Sequence, residues 1–156
     1  MKRLLLLLLL LLTLSFQTLA KDFPYPAAAN AHADVQRALA QAKANHLPVL
    51  IFYGANWCED CRSLARSLEQ PQNAELMARS FNVVKVNVGN FDRNLDVAKQ
   101  FGNPIENGIP AAVMLSPADK VLYSTKAGEL SNARRMSAEG VHDFFEQART
   151  RAERKR

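Results

Sequence analysis

Cysteine is scarce in this chain of 156 residues, which has only Cys58 and Cys61. A small exported domain stapled by a disulfide framework needs several bridges, and two thiols supply at most one, so that kind of scaffold is excluded. Histidine occurs three times, as His32, His46 and His142, with no spacing that completes a zinc shell around two cysteines. No internal repeat or low-complexity linker appears, which argues against a solenoid or a string of modules. A basic body is missing too. The chain carries +5, of which Lys2 and Arg3 supply two and the tail "RTRAERKR" (149–156) four, leaving residues 21–148 near −1. Nothing there makes a nucleic-acid-binding domain, and the tail reads as a frayed, solvated helix end.

What is present begins with a leader. Lys2 and Arg3 precede an unbroken leucine run, Leu4 to Leu12, and Thr18 and Ala20 stand at the −3 and −1 positions before Lys21. This is the layout of a cleaved signal peptide over residues 1–20. As a membrane span, Leu4 to Ala20 offers 17 mostly apolar residues, at the bottom of the spanning range, and Ser15, Gln17 and Thr18 weaken it further. No cysteine follows the run to carry a lipid. The expected mature chain, residues 21–156, is one domain with room for a core. Its expected home is an oxidising compartment, the bacterial periplasm.

Along that domain, Ala31, Val35, Ala38, Leu39 and Ala42 recur at helical spacing up to His46, and Pro48 stops the helix. "VLIFY" (49–53) is a continuous apolar run, the mark of a strand covered on both faces, and Gly54 and Asn56 are expected to break it. A helix is expected from about Cys58, with Leu64, Leu68, Leu76 and Met77 inward and Pro71 interrupting it. "FNVVKVNV" (81–88) reads as a second strand, and residues 93–101 as a helix closed by Gly102. "AAVMLS" (111–116) and "KVLYST" (120–125) flank the turn "PAD" and read as a hairpin. Residues 137–152 form a last helix capped by Ser137, with Val141, Phe144, Phe145 and Ala148 inward. This order predicts a mixed α/β sandwich with helices on both faces of the sheet.

The two cysteines and the chain's one tryptophan fall together in "NWCEDC" (56–61), at the junction of a buried strand and a helix. At a helix N-terminus, unpaired amides and the macrodipole favour a thiolate. One turn on, the second sulfur is near enough to close a disulfide with the first. Cys58 is therefore the expected exposed nucleophile and Cys61 the more buried resolving thiol. An inert local disulfide is the plainer alternative, but it closes too short a loop to constrain the unfolded chain much. A Cu(I) site made by the two thiolates is the alternative from another class.

Over residues 30–150 the sequence resembles the thioredoxin-like superfamily. "NWCEDC" stands where that family has its Trp-Cys-x-x-Cys site, "KVNV" (85–88) where it has a lysine-bearing strand, and "GIPAAVML" (108–115) where it has Gly-Ile-Pro before a central strand. Gly128 in "KAGEL" matches a further family glycine. The resemblance implies a thioredoxin-like three-layer α/β/α fold and thiol:disulfide exchange without a cofactor or metal. It also implies a cis Ile109–Pro110 bond beside the disulfide, with Trp57, Ile109 and Pro110 as the surface on which protein thiol or disulfide substrates dock. A monomer is expected, served by a membrane thiol-reducing electron donor.

Two departures from the family pattern stand out. Where many thioredoxins carry a buried aspartate on the strand before the motif, this chain has Phe52, so Lys85 keeps its family position without the acidic partner. The dipeptide between the cysteines is Glu59-Asp60 rather than Gly-Pro. Two carboxylates beside a thiolate disfavour it, which lowers the reduction potential and predicts a reductase rather than a disulfide-introducing oxidase or an isomerase. Glu59, Asp60 and Lys85 are thus the candidate groups tuning the thiols.

Overall fold

The computed structural model describes residues 23–125 and 128–154. The leader and the final two residues of the basic tail lie outside them. In chain order the elements are α1 (Ala31–Asn45), β1 (Val49–Gly54), α2 (Glu59–Leu68), α3 (Pro71–Ser80), β2 (Asn82–Asn87), α4 (Leu95–Gln100), β3 (Ala111–Leu115), β4 (Val121–Ser124), a 3-10 turn (Ala133–Arg135) and α5 (Ala138–Glu153). Among the described residues, no helix is long and apolar enough to cross a membrane.

The four strands form one sheet in the order β2-β1-β3-β4. β1 runs parallel to β2, from Val49 opposite Asn82 to Gly54 opposite Asn87. It runs antiparallel to β3, from Val49 opposite Leu115 to Tyr53 opposite Ala111, and β4 completes the hairpin. Every residue of β1 and β3 is buried, as their continuous apolar runs require.

Successive strand residues face opposite sides of a sheet. Phe52 meets Phe145 of α5 edge-on, with ring centroids 5.4 Å apart. Its neighbour Tyr53 points the other way, and its hydroxyl donates to the Val97 carbonyl of α4 at 3.4 Å. Helices therefore cover both faces, and the architecture is a mixed four-stranded sheet in a thioredoxin-like sandwich. Both aromatics are core residues, and burial pushes the Tyr53 phenol pKa up, keeping it neutral.

Local chemistry explains the boundaries. Asn30 Oδ1 accepts from the Ala33 amide at 3.0 Å and opens α1, whose buried residues are Ala31, Val35, Ala38, Leu39 and Ala42. Pro71 splits the expected long helix by opening α3 at its first position, where a missing N–H costs nothing. Ser137 Oγ accepts from the Gly140 amide at 3.0 Å and caps α5.

Several boundaries shift by a residue from the sequence expectation, and three differences have a visible cause. β1 continues through Gly54, which still pairs with Asn87 of β2 and accepts from the Val88 amide at 2.9 Å; glycine is required there because a Cβ would collide with the Tyr25 ring. α4 starts two residues late, at Leu95: Asn94 adopts a left-handed conformation (φ 51°) and its side chain donates to the Asn87 carbonyl at 2.7 Å. The tail is not frayed up to Glu153, since Ala152 is buried and Arg149 bonds Glu146 and Glu153.

Candidate active site

β1 delivers the chain to the edge of the core, and residues 55–57 turn it into α2. Cys58 occupies the N-cap of that helix (φ −71°, ψ 117°), and its Sγ lies 3.1 Å from the Cys61 amide, which donates to it. A sulfur thus takes the place usually filled by a serine or aspartate oxygen, at the positive end of the helix. Cys58 and Cys61 are joined in a disulfide, with Cα atoms 5.2 Å apart. Both residues are buried, contrary to the expectation of an exposed nucleophile. Their ranking holds, with Cys58 retaining 6% exposure and Cys61 none.

The Ile109 carbonyl oxygen lies 3.7 Å from Cys58 Sγ, and the Ile109–Pro110 peptide is cis. Both residues are buried beside the disulfide. "GNPIENG" (102–108) leads into this loop, and Gly128 (φ 75°) faces the Asn107 carbonyl, so the "KAGEL" glycine does lie along it.

Trp57 projects outward with 56% exposure, and its indole Nε1 donates to the Gly89 carbonyl at 2.8 Å. Phe91, 42% exposed, stands 6.4 Å from it between ring centroids. The segment "GNFDRN" (89–94) thus supplies both the carbonyl that the indole bonds and the ring that stands beside it. Beneath it, Arg62 Nη1 donates to the carbonyls of Asn56 (2.8 Å) and Trp57 (3.2 Å).

The Asn56 side chain pairs with the backbone of Tyr25 in both directions, accepting from its amide at 3.0 Å and donating to its carbonyl at 2.8 Å. Asn87 Nδ2 donates to the same carbonyl at 3.1 Å. Tyr25 is a core residue, and burial pushes its phenol pKa up. No periodic pattern flags a lone tyrosine in an irregular segment. The one sequence signal was its aromatic character among alanines and prolines.

The electrostatics depart from the expected free acidic pair. Asp60 is nearly buried: its carboxylate accepts from the Arg134 main-chain amide at 2.8 Å and from Arg134 Nη1 at 3.0 Å. Glu59 Oε2 lies 3.7 Å from the same Nη1, with its side chain 65% exposed. The dipeptide between the cysteines therefore carries its own counter-charge. Nothing in "NARRMS" marks Arg134 for this role, because its carboxylate partner lies 74 residues away in sequence. Lys85, by contrast, pairs in register with Phe52 and lines a surface cleft with Asp34, Arg37 and Gln41, a group that includes no residue of the cysteine site.

Among the described residues, no group of three or more His, Cys, Asp or Glu is placed to hold a metal ion. Chemically, the arrangement offers a sulfur polarised by a helix N-terminus, a second sulfur one turn behind it, and a main-chain carbonyl and an exposed indole alongside.

Residues 30–117 match the family described as thioredoxin-like. Among solved structures, the chain is similar to a disulphide isomerase from Xylella fastidiosa Temecula1, at 50% identity and a TM-score of 0.81, covering 82% of this chain and 98% of that one. No curated protein matches. The chain belongs to the thioredoxin-like family, and its Cys58–Cys61 pair makes it a thiol:disulfide oxidoreductase.

Proposed function

We propose that this oxidoreductase is exported to the periplasm and acts there from its reduced state on protein disulfides. The leader pattern of residues 1–20 supports export. The observation that carries the choice of nucleophile is the Cys61 amide aimed at Cys58 Sγ at the start of α2, which favours a thiolate on Cys58 rather than on Cys61. The acidic Glu59-Asp60 pair in the same turn supports the reducing direction.

In this scheme the Cys58 thiolate attacks one sulfur of a substrate disulfide. That bond breaks, the departing substrate sulfur takes a proton, and a mixed disulfide forms through Cys58. The Cys61 thiolate then attacks Cys58 Sγ and releases the second substrate thiol. Two electrons pass to the substrate, and Cys58–Cys61 becomes the disulfide seen here. Trp57, Ile109 and Pro110 frame the approach. Return to the dithiol requires an outside donor, which we assign to a membrane thiol-reducing partner. Working as a monomer is part of the same proposal.

Isomerisation is a second reading, favoured by the name of the similar Xylella protein. It uses the same first attack but lets a substrate thiol, rather than Cys61, resolve the intermediate.

Cys61→Ser tests the scheme. In cells it should accumulate mixed disulfides that disappear when Cys58 is also replaced. Loss of bound copper with no trapped partner would instead identify a metal carrier. The reduction potential separates the directions: a value near about −270 mV supports a reductase, and one near about −120 mV an oxidant.

A further inference from the structure

We propose that Arg134 is the positioning residue that sets how readily the Cys58 thiol ionises, acting through Asp60 and Glu59; this rests on the exchange chemistry above. The two carboxylates lie in the first turn of α2, directly after Cys58. Left alone they place two negative charges beside the sulfur that must carry a third. Asp60 keeps only 12% side-chain exposure, where water screens poorly and a charge acts over its neighbours more strongly than at the surface. Arg134 reaches this carboxylate with both its main-chain amide and its guanidinium, and the same Nη1 lies 3.7 Å from Glu59.

Other charges border the site, and the contacts distinguish them from Arg134. On α2, Arg62 spends its guanidinium on the carbonyls of Asn56 and Trp57. The 3-10 turn adds Arg135, the loop before Ile109 adds Glu106, and the cleft beside Trp57 is lined by Asp92 and Arg93. Arg134 is the group hydrogen-bonded to the carboxylate standing between the two cysteines. By offsetting one of the two acidic charges it favours the thiolate, and with it the reduced form.

The test uses the purified exported protein and two readouts that arginine and carboxylate variants should move in opposite directions, as loss of a merely structural contact would not. These are the thiolate absorbance of Cys58 against pH and the exchange equilibrium with glutathione. Arg134→Gln should lower the thiolate-to-thiol ratio at neutral pH about tenfold. It should shift the glutathione equilibrium about tenfold towards the disulfide, equivalent to about 30 mV in potential. Arg134→Lys, which keeps the charge, should stay near wild type. Asp60→Asn should raise the ratio, and the double variant should return towards wild type. Glu59→Gln, at an exposed position, repeats the sign of Asp60→Asn without disturbing a buried group. The proposal is overturned if Arg134→Gln leaves the ratio unchanged, or if the arginine and carboxylate variants shift it the same way. A wild-type protein that exchanges normally confines that failure to Arg134. A wild type that does not exchange with glutathione overturns the oxidoreductase reading as well.

Discussion

Asp60 and Arg134, 74 residues apart in sequence, are joined at two points, carboxylate to main-chain amide at 2.8 Å and carboxylate to guanidinium at 3.0 Å. The helix that begins the active site and the turn that precedes the last helix are thereby locked together. The dipeptide between the cysteines is an anchored element, with Asp60 turned inward and Glu59 outward.

Trp57 offers a prediction about substrate size. Trp57→Ala should lower kcat/KM for protein disulfides about tenfold, as loss of an exposed aromatic anchor does, while exchange with glutathione changes little. Trp57→Phe loses only the bond to the Gly89 carbonyl and should cost about 1 kcal/mol of stability. Paired kinetics on a protein and a small disulfide check this, together with a urea titration.

Asn56 holds Tyr25 by a two-way amide pair. Asn56→Ala should destabilise the fold by about 1–3 kcal/mol, because the buried Tyr25 amide loses its partner. Limited proteolysis should then cut near residues 23–27 earlier than in the wild type.

Gly54 has the Tyr25 ring where a side chain would go. Gly54→Ala is expected to cost about 1–3 kcal/mol by overpacking, read as a lower urea midpoint. Unchanged stability would show that Tyr25 moves aside freely.

On the surface, His32 Nε2 lies 2.7 Å from Asp96 Oδ2, and this hydrogen bond holds the Asp96 carboxyl below its ordinary value of 3.8. A carboxyl whose folded-state pKa is depressed stabilises the fold fully above the unfolded value and loses that contribution as pH falls through the folded one. Asp96→Asn should therefore lower the urea midpoint at neutral pH and converge with wild type in acid. A gap that widens on acidification would refute this account.

Local information made much of the molecule legible. Apolar periodicity placed the inward face of α1 residue by residue, and "VLIFY" announced the central strand because only a strand covered on both faces is apolar throughout. The cysteine pair was readable because a three-residue spacing at a helix start carries its geometry, whereas Trp57 and "GIP" were readable only through the resemblance to the thioredoxin-like superfamily. What escaped depends on distant partners or on side chains competing with the backbone. Arg134 matters only through Asp60. Tyr25 matters through Asn56, Asn87 and the missing side chain of Gly54. The late start of α4 comes from Asn94 bonding Asn87 rather than extending the helix. The sign assigned to the acidic dipeptide assumed isolated charges, and a counter-ion 74 residues away changes that sum.

The fixed indole of Trp57 has a practical consequence. It is the chain's one tryptophan, it immediately precedes Cys58, and its bond to Gly89 holds it in a single orientation. Disulfides quench a neighbouring indole's excited state more strongly than thiols do. Fluorescence excited above the tyrosine band therefore comes from one place and should follow one event, the opening and closing of a single sulfur pair. Every turnover carries its own optical signal, and the protein needs no attached dye.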